Sequence, residues 1–184
     1  NRWDNVIMGN SASNRIEGGD GADTLEGGLG DDTYVADRLD TIMEAVDSGN
    51  DTVIVEDDYT LDANLENLTL AGDGDFTGVG NDLNNRLTGN SRHNRLDGGA
   101  GADVMDGGEG NDVYGVDDAG AQVVEAADGG QDEVVTSTLV AGALQARALL
   151  SGQGMDAVMM RQTLESAGIG IATAVAVEAL LGAV

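Results

Sequence analysis

Cysteine, proline and lysine are all missing from the 184 residues. Without cysteine no disulfide can staple the fold, a composition that suits a chain exported unfolded. Without proline the chain favours regular, repeated turns over irregular loops. The basic side chains are eight arginines, set against 34 Asp and Glu, for a net charge of −26. Such a surplus repels phosphates, which excludes nucleic acid as a partner, and it disfavours anionic membranes. One Phe, one Trp and three Tyr supply little for an ordinary globular core. High charge with few aromatics is otherwise the composition of disorder, and self-repulsion opposes any compact state. A folded form of this chain therefore calls for counter-ions, and divalent cations are the natural choice.

Catalytic constellations are missing too. Neither an HExxH zinc-protease helix nor a GxSxG nucleophile elbow occurs. The single histidine, His93, leaves acid–base schemes little to work with. The reading is of a non-enzymatic chain, whatever a parent protein does. No N-terminal signal peptide is recognisable, and the chain opens inside a repeat, which implies residues before Asn1.

What is present is repetition. "GGDGADTLEGGLGDDTYV" (18–35) is two nine-residue units laid end to end, and "GNSASNRIE" (9–17) precedes them. The register returns in "GNDLNNRLT" from Gly80, "GNSRHNRLD" from Gly89, "GGAGADVMD" from Gly98 and "GGEGNDVYG" from Gly107. Residues 9–35 and 89–115 align without a gap and are identical at 15 of 27 positions, the mark of a duplication. More loosely, 34–55 resembles 114–135, each segment ending in a degenerate unit with Asp51 or Asp132 at its sixth position. The eighth position reads Ile7, Ile16, Leu25, Tyr34 and Val53, then Leu87, Leu96, Met105, Tyr114 and Val134. One apolar residue inward per unit builds a shared core that no single repeat could bury. Between the copies, "YTLDANLENLTLAG" (59–72) reads as two short strands around an Asp-Ala-Asn turn, and "GDGDFTG" (72–78) as a turn.

The nonapeptide has a chemical logic. Glycine lets a turn fold its carbonyls towards one point at little steric cost. Carbonyls plus carboxylates form a hard-oxygen site, suited to calcium with ~6–8 oxygen ligands rather than to zinc, which wants nitrogen or sulfur. Six turn residues and a three-residue strand, taken twice, make a coil in which turns two units apart stack on one side. The stacked pairs are Asn5 with Asp23, Asn14 with Asp32, Asn85 with Asp103, and Asn94 with Asp112. Asparagine offers a neutral oxygen, so Asn–Asp sites bind more weakly than Asp–Asp sites. Asp37, Asp40 and Asp51 in the first copy, and Asp117, Asp118 and Asp132 in the second, are candidates for further ions. As a hypothesis, roughly four to six calcium ions would cancel roughly 8–12 charges. His93 at a fifth position is read as exposed, Arg15, Arg86 and Arg95 as offsets to the acidic surface, and Tyr34 and Tyr114 as core caps.

The unit GGxGxDxUx, with U apolar, resembles the nonapeptide of the RTX (repeats-in-toxin) hemolysin-type calcium-binding proteins; the match covers about residues 1–135. The resemblance implies an all-β fold, a parallel β-roll that folds on binding calcium. It also implies carbonyl ligands from Gly18, Gly19, Asp20, Gly21, Gly27, Gly28, Leu29 and Gly30, with Asp23 and Asp32. In the second copy it implies Gly98, Gly99, Ala100, Gly101, Gly107, Gly108, Glu109 and Gly110, with Asp103 and Asp112. Each copy has only two consensus units, so the expectation is two short rolls, 1–58 and 80–137, joined by spacer strands over 59–79.

From Thr138 to Val184 the chain is rich in Ala, Leu, Val and Met and matches no RTX pattern. Met155, Val158, Met159 and Leu164 recur at roughly helical spacing, and a helical tail is expected, serving as a type I secretion signal, a docking segment or the start of another domain. The resemblance also implies secretion by a Gram-negative bacterium through type I machinery to the exterior or cell surface. Two roles follow: a structural or adhesive module with a surface or envelope partner, or the C-terminal appendage of an extracellular protease, lipase or epimerase.

Overall fold

A three-residue strand between glycine turns is too short to bury a face by itself, and the chain compensates by stacking. The computed structural model describes residues 1–118, 120–125, 129–136 and 149–150. In the first block, β1 (Val6–Asn10), β2 (Arg15–Glu17), β3 (Thr24–Gly28), β4 (Thr33–Val35), β5 (Thr41–Ile42) and β6 (Thr52–Val55) alternate between two faces. The spacer supplies β7 (Tyr59–Thr60), β8 (Asn67–Leu70) and β9 (Thr77–Val79). The second block supplies β10 (Arg86–Thr88), β11 (Arg95–Asp97), β12 (Val104–Asp106), β13 (Val113–Val116), β14 (Gln122–Glu125) and β15 (Glu133–Thr136), followed by β16 (Leu149–Leu150). Almost every strand pairs in parallel with the strand two places on, as a coil of two turns and two strands requires. Among the described residues there is no helix, and the fold is an all-β parallel roll.

The even-numbered strands form one unbroken eight-stranded sheet, β16-β14-β12-β10-β8-β6-β4-β2. On the other face the odd strands divide into β1-β3-β5 and β15-β13-β11-β9-β7. The two nonapeptide blocks are therefore separate on one face and continuous on the other, and β8 of the spacer is a rung of the roll. The spacer does hold the two strands expected around Asp-Ala-Asn, but they lie in different sheets. Thr77 and Gly78, read as part of a turn, begin β9. The helical expectation for 138–184 lies outside the described residues, except that Leu149 and Leu150 extend the sheet from Val124 and Glu125.

The core is a set of inward columns, to which β6 and β8 each add a second side chain, Val55 and Leu70, and the loop between β7 and β8 adds Leu61 and Leu65. Ile7, Leu25 and Ile42 pair across the first sheet. Ile16, Tyr34, Val53, Leu68, Leu87, Met105 and Val123 pair successively across the second. Tyr59, Gly78, Leu96, Tyr114 and Val134 pair across the third. All of the eighth-position residues point inward; Ile7, on edge strand β1, is only half-buried. Gly78 has no side chain because Leu68 and Leu96 already fill its space: a Cβ there would stand 3.0 Å from Leu68 and 3.3 Å from Leu96.

Candidate metal centre

The turns are tied from coil to coil by two ladders of side chain to backbone hydrogen bonds. At the sixth position each carboxylate accepts the N–H of the coil before it. Asp23 Oδ1 takes Asn5 N–H at 2.7 Å, Asp32 takes Asn14 at 2.6 Å, Asp103 takes Asn85 at 2.8 Å and Asp112 takes Asn94 at 2.7 Å. The pairs read from the repeat are thus neighbours in space. The ladder continues beyond the nonapeptides: Asp40 accepts Asp23 N–H, and in the degenerate units Asp51 accepts Asp32 N–H and Asp132 accepts Asp112 N–H. At the fifth position the direction reverses. His93 Nδ1 accepts Asn111 N–H at 2.7 Å, just as Asp4 and Asn84 accept from Ala22 and Ala102. His93 is an exposed rung of this outer ladder.

Two kinds of turn stand out. In the Asn units the turn closes on itself: Asn14, Asn85 and Asn94 Oδ1 accept the N–H of Asn10, Asn81 and Asn90. The oxygens of those three asparagines in turn accept the N–H of Ala12, Leu83 and Arg92. In the Asp units both places are given to glycine with positive φ, for example Gly28 and Gly30 at 104° each, Gly108 at 92° and Gly110 at 123°. Backbone freedom there replaces side-chain hydrogen bonds.

The four consensus aspartates Asp23, Asp32, Asp103 and Asp112 are each 1 % exposed. Oδ1 is satisfied, yet Oδ2 of all four is buried with no hydrogen-bond partner. The first glycine of each unit leaves room for that oxygen: a Cβ on Gly18, Gly27, Gly98 or Gly107 would collide with it. A buried carboxylate oxygen without a donor is costly, by several kcal/mol for an unpaired ion, and a hard cation is the partner its chemistry fits. The electrostatics agree. Burial, the largest cause, pushes Asp51, Asp103 and Asp112 up to about 6, with nearby carboxylates adding to the rise. Asp32 and Asp40 are raised for the same first reason.

Where the nonapeptides end, Asp32, Glu44 and Asp51 converge, and so do Asp112, Glu125 and Asp132, with one ligand atom of each within 4.8 Å of the others. The Tyr34 hydroxyl donates to Glu44 Oε1, and the Tyr114 hydroxyl donates to Glu125 Oε1 while accepting Gly107 N–H at 2.8 Å. Burial pushes Glu125 up to about 7. The core-cap reading of the two tyrosines holds for their rings, whose hydroxyls also anchor a carboxylate.

Glu44 and Glu125 are the residues that the repeat pattern did not single out. Their signal lay in the looser duplication, where "EAVDSGND" (44–51) stands against "EAADGGQD" (125–132). Of the outward arginines, Arg86 lies 3.9 Å from Asp106 and Arg95 lies 3.6 Å from Asp97, half-exposed pairs of little energetic weight.

The family model of the RTX calcium-binding nonapeptide repeat (four copies) matches residues 4–35 and 79–114, the segments that build these turns. The chain carries RTX calcium-binding repeats. They are a structural calcium-binding module, and here they form one β-roll with the bare Oδ2 atoms along its turn edges. Neither the comparison with curated proteins nor that with solved structures gave a match.

Proposed function

We propose that this RTX roll is a calcium-folded structural or adhesive module of a protein secreted by a Gram-negative bacterium through type I machinery. The four buried, unpartnered Oδ2 atoms of Asp23, Asp32, Asp103 and Asp112 carry the reading. Each faces its own glycine turn, and the carbonyls of Gly18–Gly21, Gly27–Gly30, Gly98–Gly101 and Gly107–Gly110 are assigned as the remaining ligands. Asn5, Asn14, Asn85 and Asn94 take a weaker share, since the oxygens of the last three already hold their own turns.

When bound, calcium supplies positive charge and a coordination sphere that draws adjacent coils together. The chain's own residues do the rest. Glycines set the carbonyl directions, Oδ1 fixes coil spacing, and the eighth-position column closes the core. Where calcium is scarce, like charges keep the chain extended and exportable. Outside the cell, sites with Kd of ~10⁻⁴–10⁻³ M load, and binding free energy becomes folding free energy.

Calorimetric titration with calcium tests this: several ions are expected, and fewer than two would refute it. The secretion part has its own test in a type I secreting host. Deleting residues 139–184 from a chain extending through them is expected to abolish export, and unchanged export would remove the tail from that role.

A further inference from the structure

We infer that each block ends in a cation site of a second kind, a cage of three carboxylates drawn partly from outside the nonapeptides. One cage is Asp32, Glu44 and Asp51, the other Asp112, Glu125 and Asp132, and a tyrosine hydroxyl braces each. The inference rests on the calcium reading above and adds to it a donor set, a place and an order of loading.

Convergence of acids is common on so acidic a surface and would carry nothing alone. The independent observation is Oδ2 of Asp32 and of Asp112, on residues 1 % exposed, buried and without any hydrogen-bond partner. Both oxygens are aimed at the cage. A Cβ on Gly27 would overlap Asp32 Oδ2 and the Tyr34 hydroxyl together, and a Cβ on Gly107 would overlap Asp112 Oδ2 and the Tyr114 hydroxyl. Each hydroxyl is in turn bound to the glutamate. Aspartate oxygen, phenol and glutamate therefore border one space, and the third acid closes it, Asp51 or Asp132, whose Oδ1 holds the N–H of Asp32 or Asp112.

The arrangement occurs twice, at corresponding points of the duplication, which a chance cluster would not. Its donors are oxygens only, so a calcium-sized divalent cation suits it and zinc does not. The turn sites between an Asn unit and an Asp unit bring one sixth-position carboxylate each; the cages bring three. The stronger field makes the cages the tightest sites and the first to fill. The bound ion ties Glu44 and Asp51, or Glu125 and Asp132, onto the last nonapeptide turn of their block.

The test uses the full chain, with Trp3→Phe to leave tyrosine as the main sensitiser, and terbium as the probe, displaced by calcium. Tyr34 and Tyr114 border the cages, so tyrosine-sensitised terbium luminescence is expected at the lowest metal concentrations. Glu44→Gln and Glu125→Gln should each remove one ion from the calcium count by native mass spectrometry and about half of that early luminescence. The double variant should lose two ions and nearly all of the luminescence, while Asp73→Asn, an exposed acid away from the cages, should change neither. Loss of one ion per variant at wild-type strand content in saturating calcium supports the cages. An unchanged count overturns them, as does a loss seen only in variants whose strand signal has collapsed. A wild-type chain that takes up no calcium overturns the calcium reading itself, and the two failures are thereby separable.

Discussion

At the residue scale, the sixth-position aspartate does two jobs with its two oxygens. Oδ1 is spent on the N–H of the neighbouring coil, and Oδ2 is left buried and bare. In the calcium-free fold, Asp51, Asp103 and Asp112 stand at about 6 and Glu125 at about 7, against ~4 for an ordinary carboxylate. The folded state thus holds protons that the unfolded chain has released. Its stability contribution is full below pH ~4 and is lost as pH rises through about 6 to 7. Calcium-stripped chain is therefore expected to gain structure on acidification from pH ~7.5 to ~5, followed by circular dichroism. Calcium affinity should fall across the same window, because the ligands must be deprotonated; an affinity that rises on acidification would contradict this. The aspartates and tyrosines were legible from the sequence because they sit on a nine-residue ruler. Glu44 and Glu125 were not, since an isolated glutamate outside a glycine turn looks like any solvated acid until Tyr34 or Tyr114 is seen to hold it.

At the scale of the element, turn and strand are separable inventions. The Asp turns work because Gly28, Gly30, Gly108 and Gly110 adopt positive φ and let coils approach closely. A Cβ on Gly30 would stand 2.9 Å from the backbone of Ala12 and Ser13, in the adjacent coil. Gly30→Ala is expected to destabilise the calcium-loaded roll by at least ~1–2 kcal/mol, the cost of placing an L side chain at unfavourable φ, read from thermal unfolding in saturating calcium. A shift no larger than that of an exposed Ser11→Ala control would show that the turn tolerates a side chain. Strand placement was legible wherever the ruler holds. In the spacer it fails: Thr52 pairs with Asn67, and Asn67 with Arg86, separations that the ruler does not produce. Segments of unequal length between strands hid the stacking of β6, β8 and β10, although the apolar column through Val53, Leu68 and Leu87 is what joins them.

For the whole molecule, that column decides whether the blocks fold together. Leu68 is 1 % exposed and pairs with Val53 on one side and Leu87 on the other. Leu68→Ala should cost ~2–5 kcal/mol and weaken calcium-dependent folding of both blocks, seen as a single shifted transition in denaturant. Loss in one block with the other untouched would mean that the shared sheet carries no coupling. The remaining question of scale is charge. A chain of net charge −26 repels itself strongly, and its aliphatic columns need cations to offset that repulsion before they can close. Far-ultraviolet circular dichroism of the calcium-stripped chain at neutral pH, titrated with calcium and then reversed with EGTA, tests this most directly. Strand signal that appears on loading and disappears on chelation is the predicted result; equal strand content in both states would contradict the account.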